Sequence, residues 1–159
     1  MYWRMRLGIA ATTSLIALNE YGCGFELPNS IMRSQDMQDL WVHTNEVIWI
    51  VNDLLSFKKE MKDDTVDSIV PLVFHALELP DAQPAVDYTI QSLKLSAVAV
   101  ERSTRALLAQ YRGTPEENNI QAFIDACKYN CTGNLYWSLL NGRYGICHSD
   151  VIGAVEFTL

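Results

Sequence analysis

The chain has 159 residues, 49% hydrophobic and 19% charged, enough for one domain with a buried core and too apolar for a disordered segment. A net charge of −7, with no basic stripe along the chain, excludes a nucleic-acid-binding surface. No stretch of 18 uninterrupted apolar residues occurs, so no membrane-spanning helix is expected.

Taken in chain order, Tyr2 to Glu20 is predicted as a first helix, closed by Gly22 and Gly24. Arg4 and Arg6 precede an apolar run from Leu7 to Leu18, which superficially resembles a secretory leader. Thr12, Thr13 and Ser14 interrupt that run and no small-x-small cleavage site follows, so a cytoplasmic protein is expected. Leu27-Pro28 opens a short segment to about Arg33. Ser34 is a candidate cap for a long helix over Gln35 to Lys62, whose apolar positions Leu40, Val47, Ile48, Val51, Leu54 and Leu55 follow a 3.6-residue period. Thr65 to Leu79 predicts another helix, with Pro71 tolerable near its first turns, and Pro80 to Pro84 a connection. Val86 to Tyr111 predicts a long helix ended by Gly113. Thr114-Pro115-Glu116-Glu117 reads as a capped start for a last helix to about Leu140, broken or bent near Gly133. Val151 to Leu159 has no clear assignment. The expected fold class is all-α, in one domain over residues 1–159.

The four cysteines, Cys23, Cys127, Cys131 and Cys147, form no CxxC pair. Cys127 and Cys131 at i, i+4 would suit a soft metal, but no third or fourth ligand is spaced nearby, so buried free thiols are expected.

The row that demands a chemical explanation is Asn52, Ser56 and Glu60 on the long helix. Steps of four drift by about 40° each, so an amide oxygen, a hydroxyl and a carboxylate share one helix face. Hard oxygen donors of this kind suit Mg²⁺, which fills its octahedron with water or phosphate oxygens. Lys59 could reach the same phosphate as a point charge. By spacing alone, ordinary polar residues on a half-buried helix, with Glu60 in solvent, account for the row better than a metal site does. Arg143-Tyr144, after the last long helix, offers a forked donor and a hydroxyl for a phosphate. Tyr2-Trp3-Arg4-Met5-Arg6 adds two guanidinium groups at the opening.

Together these segments resemble a known family. Asn52-Asp53-Leu54-Leu55-Ser56-Phe57-Lys58-Lys59-Glu60 is similar to the Asn/Ser/Glu metal-binding motif of class I terpene synthases. Arg143-Tyr144 is similar to the family's Arg-Tyr pair near the C-terminus, and Tyr2-x-x-x-Arg6 to the diphosphate-sensing arginine of its microbial members. Glu20-Tyr21 and Leu27-Pro28 resemble the segment between them. The resemblance runs over roughly residues 2–148, most like fungal or bacterial sesquiterpene cyclases, and implies a partial antiparallel helical bundle of the class I type. It implies that Asn52, Ser56 and Glu60 hold one Mg²⁺ and that Arg6, Lys59, Arg143 and Tyr144 bind the diphosphate of a prenyl substrate, farnesyl diphosphate favoured. Trp137, Trp49 and Phe57 are candidates to line a dry pocket around the resulting carbocation.

The family's aspartate-rich motif is missing at its usual upstream place. Asp63-Asp64-Thr65-Val66-Asp67 fits a D-D-x-x-D pattern, but it lies just after Glu60 and reads as a helix terminus. The chain therefore resembles the C-terminal half of a terpene synthase. Two expectations follow: a Mg²⁺-dependent cyclase, or an inactive helical remnant that binds diphosphate or a protein partner.

Overall fold

A computed structural model describes residues 2–62 and 67–145. Among the described residues eight helices follow one another: α1 Tyr2–Ile9, α2 Thr12–Ala17, α3 Asn19–Cys23, α4 Asn29–Met32, α5 Gln35–Lys62, α6 Ile69–Ala76, α7 Gln83–Gln110 and α8 Glu117–Leu140. The described residues contain no strand, as expected for an all-α chain.

α5 is the central element. It packs most extensively against α7, then against α8, and also touches α1, α2, α4 and α6. A helix surrounded in this way buries more than one stripe, and Ile48, Trp49, Ile50 and Val51 are consecutive buried residues. Two clusters of core side chains result. One joins α5 to α7 and α8 through Met37, Leu40, Leu107, Ile120, Phe123 and Ile124. The other joins α5 to α6 and α7 through Trp49, Ile50, Ile69, Val70, Val73 and Ala85.

The expected first helix is three helices. Ala11 adopts φ 56, a left-handed conformation that ends α1 and restarts the chain as α2, and Leu18 separates α2 from α3. Hydrophobic periodicity does not register such a break, because alanine and leucine are good helix formers on both sides of it. α3 closes at Gly24, φ 75, and the Glu20 carboxylate then accepts the Leu27 N–H at 2.6 Å, fixing the turn into α4. Glu20→Ala is expected to cost about 1–2 kcal/mol, seen as a lower urea midpoint, because the bond is charge-assisted and partly buried.

The caps differ from expectation. The Ser34 hydroxyl is buried without a partner, and it is the Ser34 carbonyl that accepts the Gln38 N–H. The Thr114 hydroxyl donates to the Tyr111 carbonyl, while the Glu117 carboxylate reaches back to the Gly113 N–H at 2.6 Å. α8 therefore starts at Glu117, two residues beyond Pro115, and it runs unbroken through Gly133. α6 ends at Ala76 rather than Leu79, with Pro71 in its first turn. α7 begins at Gln83, which takes Pro84 into the helix. Asp63, Asp64 and the tail from Val151 to Leu159 lie outside the described residues.

Candidate functional site

The 28-residue α5 carries the row Asn52, Ser56 and Glu60 without a break, so the three positions do share a face. Ser56 is 4% exposed, and Asn52 and Glu60 are partly buried. Asn52 donates its amide N–H to the Tyr144 hydroxyl at 2.7 Å, across 92 residues of sequence. Two of the segments singled out in the sequence are thus in direct contact. Because Tyr144 accepts this bond, its own O–H proton stays available to another acceptor. Tyr144 is 4% exposed, whereas Arg143 is exposed and lays its guanidinium over the Tyr144 ring, 5.8 Å from the centroid.

Glu60 carries the clearest sign of an unfilled coordination demand. Its Oε2 is buried and has no hydrogen-bond partner. A buried carboxylate oxygen without a donor is costly, and a hard cation would satisfy it. The donor set of amide, hydroxyl and carboxylate fits Mg²⁺ as one part of a site whose remaining ligands are water or phosphate oxygens. Lys59, one residue earlier, is on the exposed side of α5.

Asp53 sits inside the same nine-residue stretch, and sequence reasoning assigned it no role. It is 1% exposed and holds three elements together. Its Oδ2 accepts from the Tyr2 hydroxyl at 2.7 Å and from the Ile69 N–H at 3.0 Å, and its Oδ1 pairs with Arg6. The Ile69 bond supplies a partner for the first N–H of α6, which the Ser68 side chain does not cap. Burial pushes the Asp53 carboxyl above its ordinary range, against the lowering pull of Tyr2, Arg6 and Ile69. Burial likewise raises the Tyr2 hydroxyl, and its bond to Asp53 adds to that. The signal that could have found Asp53 was its position: a carboxylate one residue from Asn52 and three from Ser56, on an apolar helix, needs partners.

The side chain of Arg6, from α1, is therefore held against α5. Its guanidinium also lies 5.7 Å from the centroid of the Trp49 ring, and its Nε is buried without a partner. Of the three aromatic candidates, Trp49 and Phe57 share one cluster and Trp137 lies on another helix. Trp49 is 1% exposed and packed edge-on by Tyr2 and Trp3, with centroids at 6.0 and 4.8 Å. Phe57 is half-buried against the same cluster, and Trp137 on α8 is 53% exposed.

Among the described residues no three His, Cys, Asp or Glu side chains cluster as a metal site, and of the three described free cysteines Cys127 is buried and Cys131 half-buried, whereas Cys23 is exposed, against the expectation of burial. Burial pushes both Cys127 and Cys131 up to about 12, so almost none of either is thiolate at pH 8. Among the described cysteines Cys23 alone is exposed. Iodoacetamide at pH 8 is accordingly expected to label Cys23 within minutes and to leave Cys127 and Cys131 unmodified in the native chain, as read by peptide mass mapping.

Residues 1–94 match the family model described as "Terpene synthase family 2, C-terminal metal binding". The chain is 36% identical over 147 residues to sesquiterpene cyclase hepA of Aspergillus oryzae, covering 91% of this chain and 40% of that protein. It is 28% identical over 144 residues to sesquiterpene synthase 6 of Postia placenta, covering 90% of this chain and 41% of that protein. The chain thus spans about two fifths of the length of these relatives. In fold it is similar to the T181N variant of cucumene synthase, with a TM-score of 0.77 at 22% identity, over 90% of this chain and 47% of that one. The match of residues 1–94 to that family model, with the 36% identity to a sesquiterpene cyclase over 91% of the chain, makes this chain a member of the terpene synthase family, and the Asn52, Ser56 and Glu60 row lies inside the matched stretch.

Proposed function

We propose that this chain is the Mg²⁺- and diphosphate-binding part of a terpene cyclase whose substrate is a prenyl diphosphate, farnesyl diphosphate in the first instance. The observation that carries the reading is the 2.7 Å bond from Asn52 to Tyr144, which brings the metal-ligand row and the phosphate-donor pair to one place.

In this reading Asn52, Ser56 and Glu60 hold the ion through oxygen. A divalent ion there supplies Lewis-acid stabilisation of diphosphate oxygens. The chain's own groups do the rest. Arg6, Arg143 and the Tyr144 O–H donate to diphosphate oxygens, and Lys59 adds charge at the rim. When the substrate's C1–O bond breaks heterolytically, its electron pair stays with diphosphate. Preorganised donors then gain strength as that charge develops, which is how binding becomes rate. The allylic cation left behind is the species that cyclises.

A second reading is that the chain binds diphosphate but turns nothing over. It is supported by the aromatic side chains, because Trp137 is 53% exposed while Trp49 is packed in the core, so the two do not enclose one dry pocket.

Calorimetric titration with inorganic diphosphate, with and without Mg²⁺, and analysis of volatiles from farnesyl diphosphate plus Mg²⁺, separate these cases. Mg²⁺-dependent binding with a hydrocarbon or terpene alcohol product is the expected result. Binding without product leaves the second reading. Diphosphate binding that does not depend on Mg²⁺, without product, overturns the first reading, and no diphosphate binding by folded chain overturns both.

A further inference from the structure

We infer that a cleft between α1, α5 and α7 binds a primary alkylammonium group, apart from the oxygen row and by a chemistry that does not depend on the diphosphate reading. The cleft is lined by Trp3 from α1, His43 and Glu46 from α5, and Ser92, Leu95 and Ser96 from α7, and has a volume of about 250 Å³. That volume lies below the usual range for drug-sized ligands and suits a ligand of a few heavy atoms. His43 stands nine residues before Asn52, about 180° away around α5, so the cleft is not part of the Asn52, Ser56 and Glu60 face.

The hydrogen bonds decide what the cleft can offer. Glu46 Oε2 accepts from the Ser96 hydroxyl at 2.9 Å and lies 2.8 Å from His43 Nδ1. A carboxylate only accepts, so the neutral His43 ring carries its proton on Nδ1 and presents the lone pair of Nε2. The Ser96 proton is committed to Glu46, and the Ser92 proton to the Tyr88 carbonyl at 3.0 Å. Each hydroxyl oxygen keeps lone pairs to offer. Glu46 Oε1 takes no bond from a described residue. Every polar side chain lining the cleft therefore offers acceptors and no free proton.

A group made of donors is the complement. A primary ammonium brings three N–H donors and a positive charge. It would meet a carboxylate only 16% exposed, where water and salt screen the attraction less than at the open surface. Trp3, whose ring centroid is 4.8 Å from that of Trp49 in an edge contact, adds an aromatic wall that favours a cation. Leu95 gives the alkyl part apolar surface. A metal ion is less well served: no third His, Cys, Asp or Glu joins His43 and Glu46 among the described residues. An anion would meet lone pairs and a carboxylate and be repelled.

The test uses the whole 159-residue chain at about pH 7.5, where an alkylamine is protonated, with n-butylammonium as the probe. NMR titration is expected to give a dissociation constant of about 1 mM. The Trp3 indole N–H signal should move, while that of Trp137, exposed on α8, should not. 1-Butanol lacks the charge and tetramethylammonium lacks the N–H donors, and each is expected to bind at least about tenfold more weakly. Glu46→Gln keeps an acceptor for Ser96 but removes the charge, and about tenfold weaker binding is expected. Glu26→Gln removes an exposed charge away from the cleft and is expected to change affinity by less than about twofold, which separates the cleft from the general pull of a chain with net charge −7. No binding, equal affinity for 1-butanol or tetramethylammonium, a shift at Trp137 in place of Trp3, or equal losses in the two variants overturns the inference. If Glu46→Gln does not fold, the ligand comparison and the Trp3 signal, both read on the wild-type chain, decide by themselves.

Discussion

Glu60→Ala is expected to weaken Mg²⁺-dependent diphosphate binding by about 100-fold, the upper end of what loss of even an outer partner does to a metal site. The size follows from the composition of the row. In the proposed site Asn52 and Ser56 would contribute neutral oxygens, so Glu60 would bring the only formal negative charge of the three-residue set to an ion held chiefly through charge. Glu60→Gln keeps an oxygen at nearly the same place without the charge, and about tenfold weakening is expected for it. Stability should move the other way. In the ion's absence the Glu60 Oε2 is buried with no donor, so its removal is expected to stabilise the metal-free chain by about 1 kcal/mol. A variant that melts higher without Mg²⁺ and gains nothing when Mg²⁺ and diphosphate are added would show both halves of the effect. If Glu60→Ala binds Mg²⁺-diphosphate as tightly as wild type, the ligand assignment is wrong.

Trp49→Ala is expected to be among the most destabilising single changes in the described part of the chain, costing about 3–5 kcal/mol. Trp49 is 1% exposed and is the largest of the fully buried side chains. It packs with Tyr2 and Trp3 of α1, and Arg6 lies against it, so truncation opens a cavity where α1 rests on α5. The same void would let Arg6 move, so diphosphate affinity should fall along with stability. Trp49→Phe separates the two components. It refills most of the space and removes an indole N–H that is buried without a partner, so a loss below about 2 kcal/mol is expected. Urea midpoints of the three proteins check this, and a midpoint for Trp49→Ala within error of wild type would sink it.

Much of the fold was legible because the long helices have strong local signals. Gln35–Lys62 occurs with the predicted bounds: its apolar residues recur at the helical period over 28 residues, and no glycine or proline interrupts it. The first helix was misread because its breaks fall at Ala11 and Leu18, residue types whose preferences favour continuing. Ala11 takes up φ 56 because the surrounding packing demands a turn there, with α2 on α5 on one side and α1 on α5 on the other. Caps were misread for a related reason. A serine or threonine before a helix can bond a local N–H, but the Thr114 hydroxyl found the Tyr111 carbonyl nearer, and the Ile69 N–H found Asp53, sixteen residues away.

The sequence by itself determined the helical class, the shared face of Asn52, Ser56 and Glu60, and the family resemblance, because helix periodicity and motif spacing are written along one strand of text. Tertiary structure alone decided who meets whom. It put the Tyr144 hydroxyl on Asn52 across 92 residues and left one Glu60 oxygen without a partner. It also drew Tyr2, Arg6 and the start of α6 onto Asp53, a residue the sequence offered only as part of a motif. Each of these depends on how α1, α6 and the Arg143-Tyr144 turn dock on α5, and docking is set by long-range packing that no local spacing encodes.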